Sequence, residues 1–158
     1  MRKLWASGLL ARVRPFVEHT IIDVQHVDDS DVVVMLDATE ALLPGRVPVP
    51  RDTSRALLAR LAAREVGCVA VRPLEPAVAE LKRLYVRPQA RGAGVARALA
   101  CAALAHARSA GYRRIVLDTL PSMAAAQLLY ESLGFRESVP HAANPIAGTR
   151  FMALELAG

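Results

Sequence analysis

Aromatic side chains are scarce in this chain: three phenylalanines, three tyrosines and one tryptophan make 4 % of 158 residues. Aliphatic side chains and alanine must therefore fill the core. Cysteine is nearly absent. Cys68 and Cys101 lie inside apolar strand-like and helix-like runs with no metal-ligand spacing around them, which predicts two buried free thiols in a reducing compartment. His19, His26 and His106 are scattered without metal spacing and read as structural, so no metal site is expected. No apolar run approaches the ~20 residues needed to cross a bilayer. The opening MRKLWASGLL starts like a leader, but Arg12 and Arg14 cut its apolar run short and no small-residue cleavage site follows. A cytoplasmic protein without a membrane partner is the expectation.

The formal net charge is +5. Nucleic acid would suit that sign, yet the arginines are scattered and not interleaved with aromatics, which argues against it. A polyphosphate ligand would use the same surplus.

Apolar residues make up 53 % and charged residues 22 %, the balance of a folded globular domain. Residues 20–27 alternate as a half-buried strand does. Asp28-Asp29-Ser30 can cap a helix over 32–43, and the prolines and glycine of 43–51 break regular structure. Strands over 55–61 and 66–72 form a hairpin, Pro73 and Pro76 mark a turn, and 79–86 is the next strand. A helix follows with Val95, Leu99, Ala102 and His106 as its stripe and Gly111 as its stop. Residues 114–118 read as a short buried strand. A second helix starts at Pro121-Ser122 and ends in Gly134-Phe135, the sequence of a Schellman stop, and 150–156 is a last strand. Strands and helices mix without a strict βαβ repeat, so an α/β (α+β) fold is expected, with one domain over 20–158 behind an extension of residues 1–19. Trp5, Leu9 and Leu10 give that extension an apolar surface suited to a homodimer contact.

The segment Gln89-Ala90-Arg91-Gly92-Ala93-Gly94-Val95-Ala96 joins a strand to a long alanine-rich helix. A glycine turn at a helix N-terminus leaves backbone N–H groups pointing outward, where the helix dipole favours an anion. A P-loop would need Gly-Lys followed by Ser or Thr, which is missing. A dinucleotide fingerprint would need a third glycine where Arg97 stands. What remains is Gln/Arg-x-x-Gly-x-Gly/Ala, met at each defined position by Gln89 to Gly94.

The block 79–110, with Glu80-Leu81-Lys82-Arg83-Leu84-Tyr85-Val86-Arg87-Pro88 leading into that turn, resembles the central motif of the GNAT family of acetyl-coenzyme A–dependent N-acetyltransferases. Leu129-Tyr130-Glu131-Ser132-Leu133-Gly134-Phe135 resembles the family's second hallmark at the expected distance, and the likeness covers roughly 20–157. The resemblance implies a mixed, mostly antiparallel central sheet flanked by helices, whose parallel strands 4 and 5 splay apart. Acetyl-CoA would be the cosubstrate. Its pyrophosphate would lie on the amides of Arg91, Gly92, Ala93, Gly94, Val95 and Ala96, with Gln89 in the motif and Arg91 adding a cation. Its pantetheine arm would pair with Leu84, Tyr85 and Val86. Many members carry asparagine where Met123 stands, so Ser122 and Met123 are the expected contacts on that side.

The chemistry that the resemblance implies is acetyl transfer to a primary amine by direct attack in a ternary complex. Tyr130 occupies the family's general-acid position, and a hydroxyl titrating near ~10 can protonate a thiolate whose acid titrates near ~8.5. Glu80 is the candidate base, and alternation puts Glu80, Lys82, Leu84 and Val86 on one face. On the second helix, Ala126, Leu129 and Leu133 form the core stripe, leaving Tyr130 toward its edge. Arg46, Arg51, His141 and Asn144 lie in the loops from which this fold contacts its acceptor, and two arginines suit a carboxylate-bearing, amino-acid-like small molecule. A non-catalytic acyl-CoA-binding module, a protein N-acetyltransferase and a basic nucleic-acid binder are the alternatives.

Overall fold

The computed structural model describes residues 23–26, 55–61 and 64–157. The expected helix over 32–43, the loop of 43–51 with Arg46 and Arg51, and the extension of residues 1–19 lie outside them.

Among the described residues seven strands form one sheet in the order β1-β2-β3-β4-β5-β7-β6. They are β1 (Asp23–His26), β2 (Arg55–Leu61), β3 (Arg64–Glu75), β4 (Val78–Val86), β5 (Arg114–Thr119), β6 (Arg136–Glu137) and β7 (Arg150–Glu155). Every neighbouring pair is antiparallel except β4 and β5. Helices α1 (Val95–Ser109) and α2 (Ala124–Ser132) connect β4 to β5 and β5 to β6. The mixed sheet with a parallel fourth and fifth strand is as expected.

Side chains on alternate strand positions sort onto two faces. Leu57 and Ala59 of β2, Val69 and Val71 of β3, and Ile115 and Leu117 of β5 join the large core, which also holds Leu99 and Ala103 of α1 and Tyr130 of α2. Leu58 and Cys68 make a smaller cluster with Tyr85 on the opposite face.

Both helix stops are legible as glycine chemistry. Gly111 and Gly134 have φ of 85° and 99°, the left-handed region a β-carbon disfavours. The Tyr112 and Phe135 amides donate to the carbonyls of Ala107 and Tyr130, both at 3.0 Å, which completes a Schellman motif at each helix end.

Several local expectations need correction. The strand through Pro73 does not turn there. β3 runs to Glu75, a one-residue bulge accommodates the proline region, and Pro76-Ala77 makes the turn. The buried stripe of α1 is Val95, Leu99, Ala100, Ala103, Leu104 and Ala107, rotated from the expected one, so Ala102 and His106 are only half-buried. Small alanines let the helix sit closely on the sheet along that side. Cys68 is buried but Cys101 is exposed, on the outer face of the same helix. Two-residue β6 is too short for any periodicity to reveal.

Candidate active site

The parallel pairing of β4 and β5 is brief. Val78, Ala79 and Glu80 pair with Arg114, Ile115 and Val116, and beyond that point the two strands diverge. The cause lies in β4. Cys68 of β3 faces Tyr85 and Ala70 faces Lys82, so β4 carries one extra residue between them. Arg83 absorbs it with φ of 58°, unusual for a residue with a side chain.

The bulge also inverts the alternation. Ala79 and Leu81 face the large core before it, and Leu84 and Val86 face the same core after it. Glu80 and Lys82 therefore do not share a face with Leu84 and Val86, contrary to the period-two expectation. A one-residue slip exchanges the faces of every residue that follows.

On the helix side, the fork opens into a cleft of about 540 Å³. Leu84, Tyr85 and Val86 form one wall, Arg91, Gly92, Gly94, Val95 and Ala96 another, and Ser122 and Met123 a third. Gln89 and Ala93 do not line it: Gln89 is exposed in the 3₁₀ turn Pro88–Ala90, and Ala93 packs against the core. Gly92 and Gly94 have φ of 81° and 83°, so the turn needs glycine at both. The first helical bond of α1 runs from the Ala98 amide to the Gly94 carbonyl at 3.0 Å, and no side chain caps the helix. The amides of Val95, Ala96 and Arg97 are thus the orphan donors of a helix N-terminus, with no acidic residue in the first turn to compete for them. The Arg91 amide, by contrast, is used within the turn, donating to Pro88 at 3.3 Å. Arg91 Nε donates to the Val86 carbonyl at 3.0 Å, and its guanidinium carbon lies 6.0 Å from the centre of the Tyr85 ring.

On the opposite face a charged network closes the fork. Glu80, fully buried, takes Arg72 Nε at 2.6 Å, Lys82 Nζ at 2.8 Å and His141 Nε2 at 2.9 Å. Lys82 also reaches Asp118 Oδ1 at 3.1 Å, and Asn144 Nδ2 donates to Asp118 Oδ2 at 2.7 Å. Lys82 thereby ties the two diverging strands together. The Ile146 amide closes an Asx turn on Asn144 Oδ1 at 3.0 Å, and the His141 ring stands edge-on to Phe151 at 5.4 Å. Burial alone would raise the Glu80 carboxyl, but its hydrogen bonds to His141, Lys82 and Arg72 and the charge of Lys82 outweigh that and hold it at about 2. An acceptor-only carboxylate implies that His141 carries its proton on Nε2, and Nδ1 is buried without a hydrogen-bond partner.

Tyr130 is the buried residue of α2, 4 % exposed and tilted against Phe135 at 5.6 Å. The helix edge expected for it is instead its core side, and Leu129 lines the cleft. Tyr130 also lines a second, small cavity with Lys82, Leu84, Asp118 and Met123, and Leu84 and Met123 are common to it and the cleft. Arg150 of β7 fixes the helix that bears the tyrosine, bonding Gln127 at 2.9 Å and Glu131 at 3.0 Å.

Residues 35–135 match the model of the acetyltransferase (GNAT) family. The chain belongs to that family. Among GNAT relatives, an uncharacterised N-acetyltransferase of Schizosaccharomyces pombe is 41 % identical over 92 residues, which are 58 % of this chain and 56 % of that protein. The chain thus spans little more than half the length of that curated relative. A Klebsiella pneumoniae structure provisionally assigned as an acyl-CoA N-acyltransferase superposes with a TM-score of 0.73 at 27 % identity, covering 87 % of this chain and 99 % of that one. A Salmonella typhimurium structure holding acetyl-CoA has a TM-score of 0.68 at 19 % identity, over 87 % of this chain and 95 % of that one, a likeness of fold.

Arg97, which donates to Ser132 at 2.7 Å, and the small residues Ala124, Ala125 and Ala126 also line the GNAT cleft but carry no motif signal. Lys82 shares a face with Glu80 as the alternation implies, whereas Arg72 and Asp118 escaped the sequence reading because nothing in their spacing announces a contact. Among the described residues no helix is long and apolar enough to cross a membrane.

Proposed function

We propose that this GNAT protein moves the acetyl group of acetyl-CoA to the primary amine of a small, amino-acid-like molecule in a ternary complex. The observation that carries the reading is the fork, with a main-chain anion cradle on one face, a buried charged network on the other, and a small cavity lined by Tyr130, Lys82 and Asp118 beside the cleft. The pyrophosphate would rest on the amides of Val95, Ala96 and Arg97, the pantetheine along Leu84–Val86, and the thioester at that cavity.

Attack by the neutral amine forms the N–C bond and breaks the C–S bond. The departing sulfur takes a proton from the Tyr130 hydroxyl, which is restored by the proton the amine gives up. We assign Glu80 to orienting Lys82, Arg72 and His141 and not to accepting that proton, because a carboxylate held at about 2 is a weak base at neutral pH. Asp118 suits an ammonium and Lys82 a carboxylate, which favours an acceptor bearing both groups.

Thiol release from acetyl-CoA across a panel of amino acids and other amines tests the assignment. Tyr130→Phe should lower kcat by at least about a hundredfold with little change in thioester affinity. Coenzyme binding without turnover on any amine would favour a regulatory module instead.

A further inference from the structure

Met123 lies at the junction of the two cavities. It and Leu84 line both the coenzyme cleft and the small passage beside Tyr130. The passage has a volume of about 10 Å³, the room of roughly one water molecule. An acyl chain entering from the cleft must use that room or displace a wall. Tyr130 is locked in the core against Phe135, and Leu84 is held in a strand. Met123 is a wall that the core does not depend on. It precedes the first turn of α2, is half-buried, belongs to neither core cluster, and has exposed neighbours in Ser122 and Ala124. An unbranched thioether with three rotatable bonds fills an irregular gap of this kind.

We propose that Met123 sets the length of the acyl chain the protein accepts, restricting its donor to short acyl thioesters of coenzyme A. The inference rests on the coenzyme reading above. Truncating Met123 removes a wall that the cleft and the passage share without disturbing the core, so that two further methylenes of a longer chain find an apolar seat.

Calorimetric titration of acetyl-, propionyl- and butyryl-CoA into the full chain tests this without needing the acceptor. In the unaltered protein, affinity should fall from acetyl- to butyryl-CoA. Met123→Ala should move the butyryl-to-acetyl affinity ratio toward the longer chain on the order of tenfold, the value of burying two methylenes. Met123→Leu, of similar volume, should keep the original ratio. Equal affinities across the series in the unaltered protein would overturn the proposal, and so would a ratio that Met123→Ala leaves in place. If Met123→Ala does not fold, the chain-length series in the unaltered protein still decides. Failure of all three thioesters to bind would instead overturn the coenzyme reading itself.

Discussion

The two faces of the fork are built by different means. On the helix face the ligand wall is main chain, two glycines and small side chains: Gly92, Gly94, Val95 and Ala96 across from Ser122 and Ala124. On the other face it is a set of charged and polar side chains drawn from β3, β4, β5 and the loop before β7, spanning 36 residues from Lys82 to Asp118 and 61 from Glu80 to His141. A wall made of backbone depends on conformation, so a substitution there should cost affinity and spare stability. A wall made of buried charges depends on mutual neutralisation, so a substitution there should cost stability first.

Glu80→Gln is the strongest test of that contrast. It leaves Arg72 and Lys82 short of a counter-charge at a buried position, which should cost about 3–5 kcal/mol by chemical denaturation. The pH dependence follows from the lowered carboxyl, at about 2 against an ordinary 4.5. The unfolded chain binds the proton more readily, so the stabilisation is complete above pH 4.5 and is lost as pH falls through 2. That window accounts for about 3 kcal/mol, and Glu80→Gln should remove most of the slope within it. Folded Glu80→Gln should still bind acetyl-CoA within a few-fold of the unaltered protein. A hundredfold loss of coenzyme affinity would erase the distinction between the faces.

Gly92→Glu makes the converse prediction. No atom lies within 4 Å of a β-carbon built there, so the fold has room, but φ of 81° strains any side chain and the new carboxylate faces a diphosphate. Acetyl-CoA affinity should fall about a hundredfold, equivalent to about 2.7 kcal/mol. Gly92→Ala separates the two causes, since it carries the strain without the charge. Affinity equal to that of the unaltered protein in Gly92→Glu would remove the cradle from the coenzyme site.

The same contrast explains what was legible in the sequence. Turns and caps are local, so the glycines at 92, 94, 111 and 134 and the order of the strands around them could be read directly. The family resemblance implies a bulge that splays this strand, but its position at Arg83 could not be read from the residues, because a residue with a side chain took the left-handed conformation that sequence reasoning reserves for glycine. That one residue misassigned the face of Leu84 and Val86. Glu80 was named as a base and His141 and Asn144 as acceptor contacts, yet they meet in one network whose other members, Arg72, Lys82 and Asp118, carry no motif. Non-local charge pairing leaves no period in a sequence.

One glycine belongs to neither wall yet bears on the coenzyme side. A β-carbon at Gly67 would stand 2.8 Å from the Tyr85 carbonyl, 2.9 Å from Leu99 Cδ1 and 3.2 Å from Val95 Cγ1. Gly67 pairs with Val86, and the Arg87 amide donates to Val66 at 2.7 Å while its Nε reaches the Glu65 carbonyl at 2.9 Å. The start of β3 is therefore the floor on which the end of β4 and the first residue of α1 are seated. Gly67→Ala should push both apart by a few tenths of an ångström, lowering stability by about 1–3 kcal/mol and weakening acetyl-CoA roughly tenfold, while KM for the amine stays constant. Adding Leu99→Ala would relieve the closer of the two contacts with α1, leaving Val95 Cγ1 at 3.2 Å, but not the one with the Tyr85 carbonyl. Recovery of affinity in the double variant would assign the effect to the seat of the phosphate turn. Persistence of the loss would assign it to the strand edge that carries the pantetheine. An unchanged thioester affinity in Gly67→Ala would mean that the cradle holds its geometry without this floor.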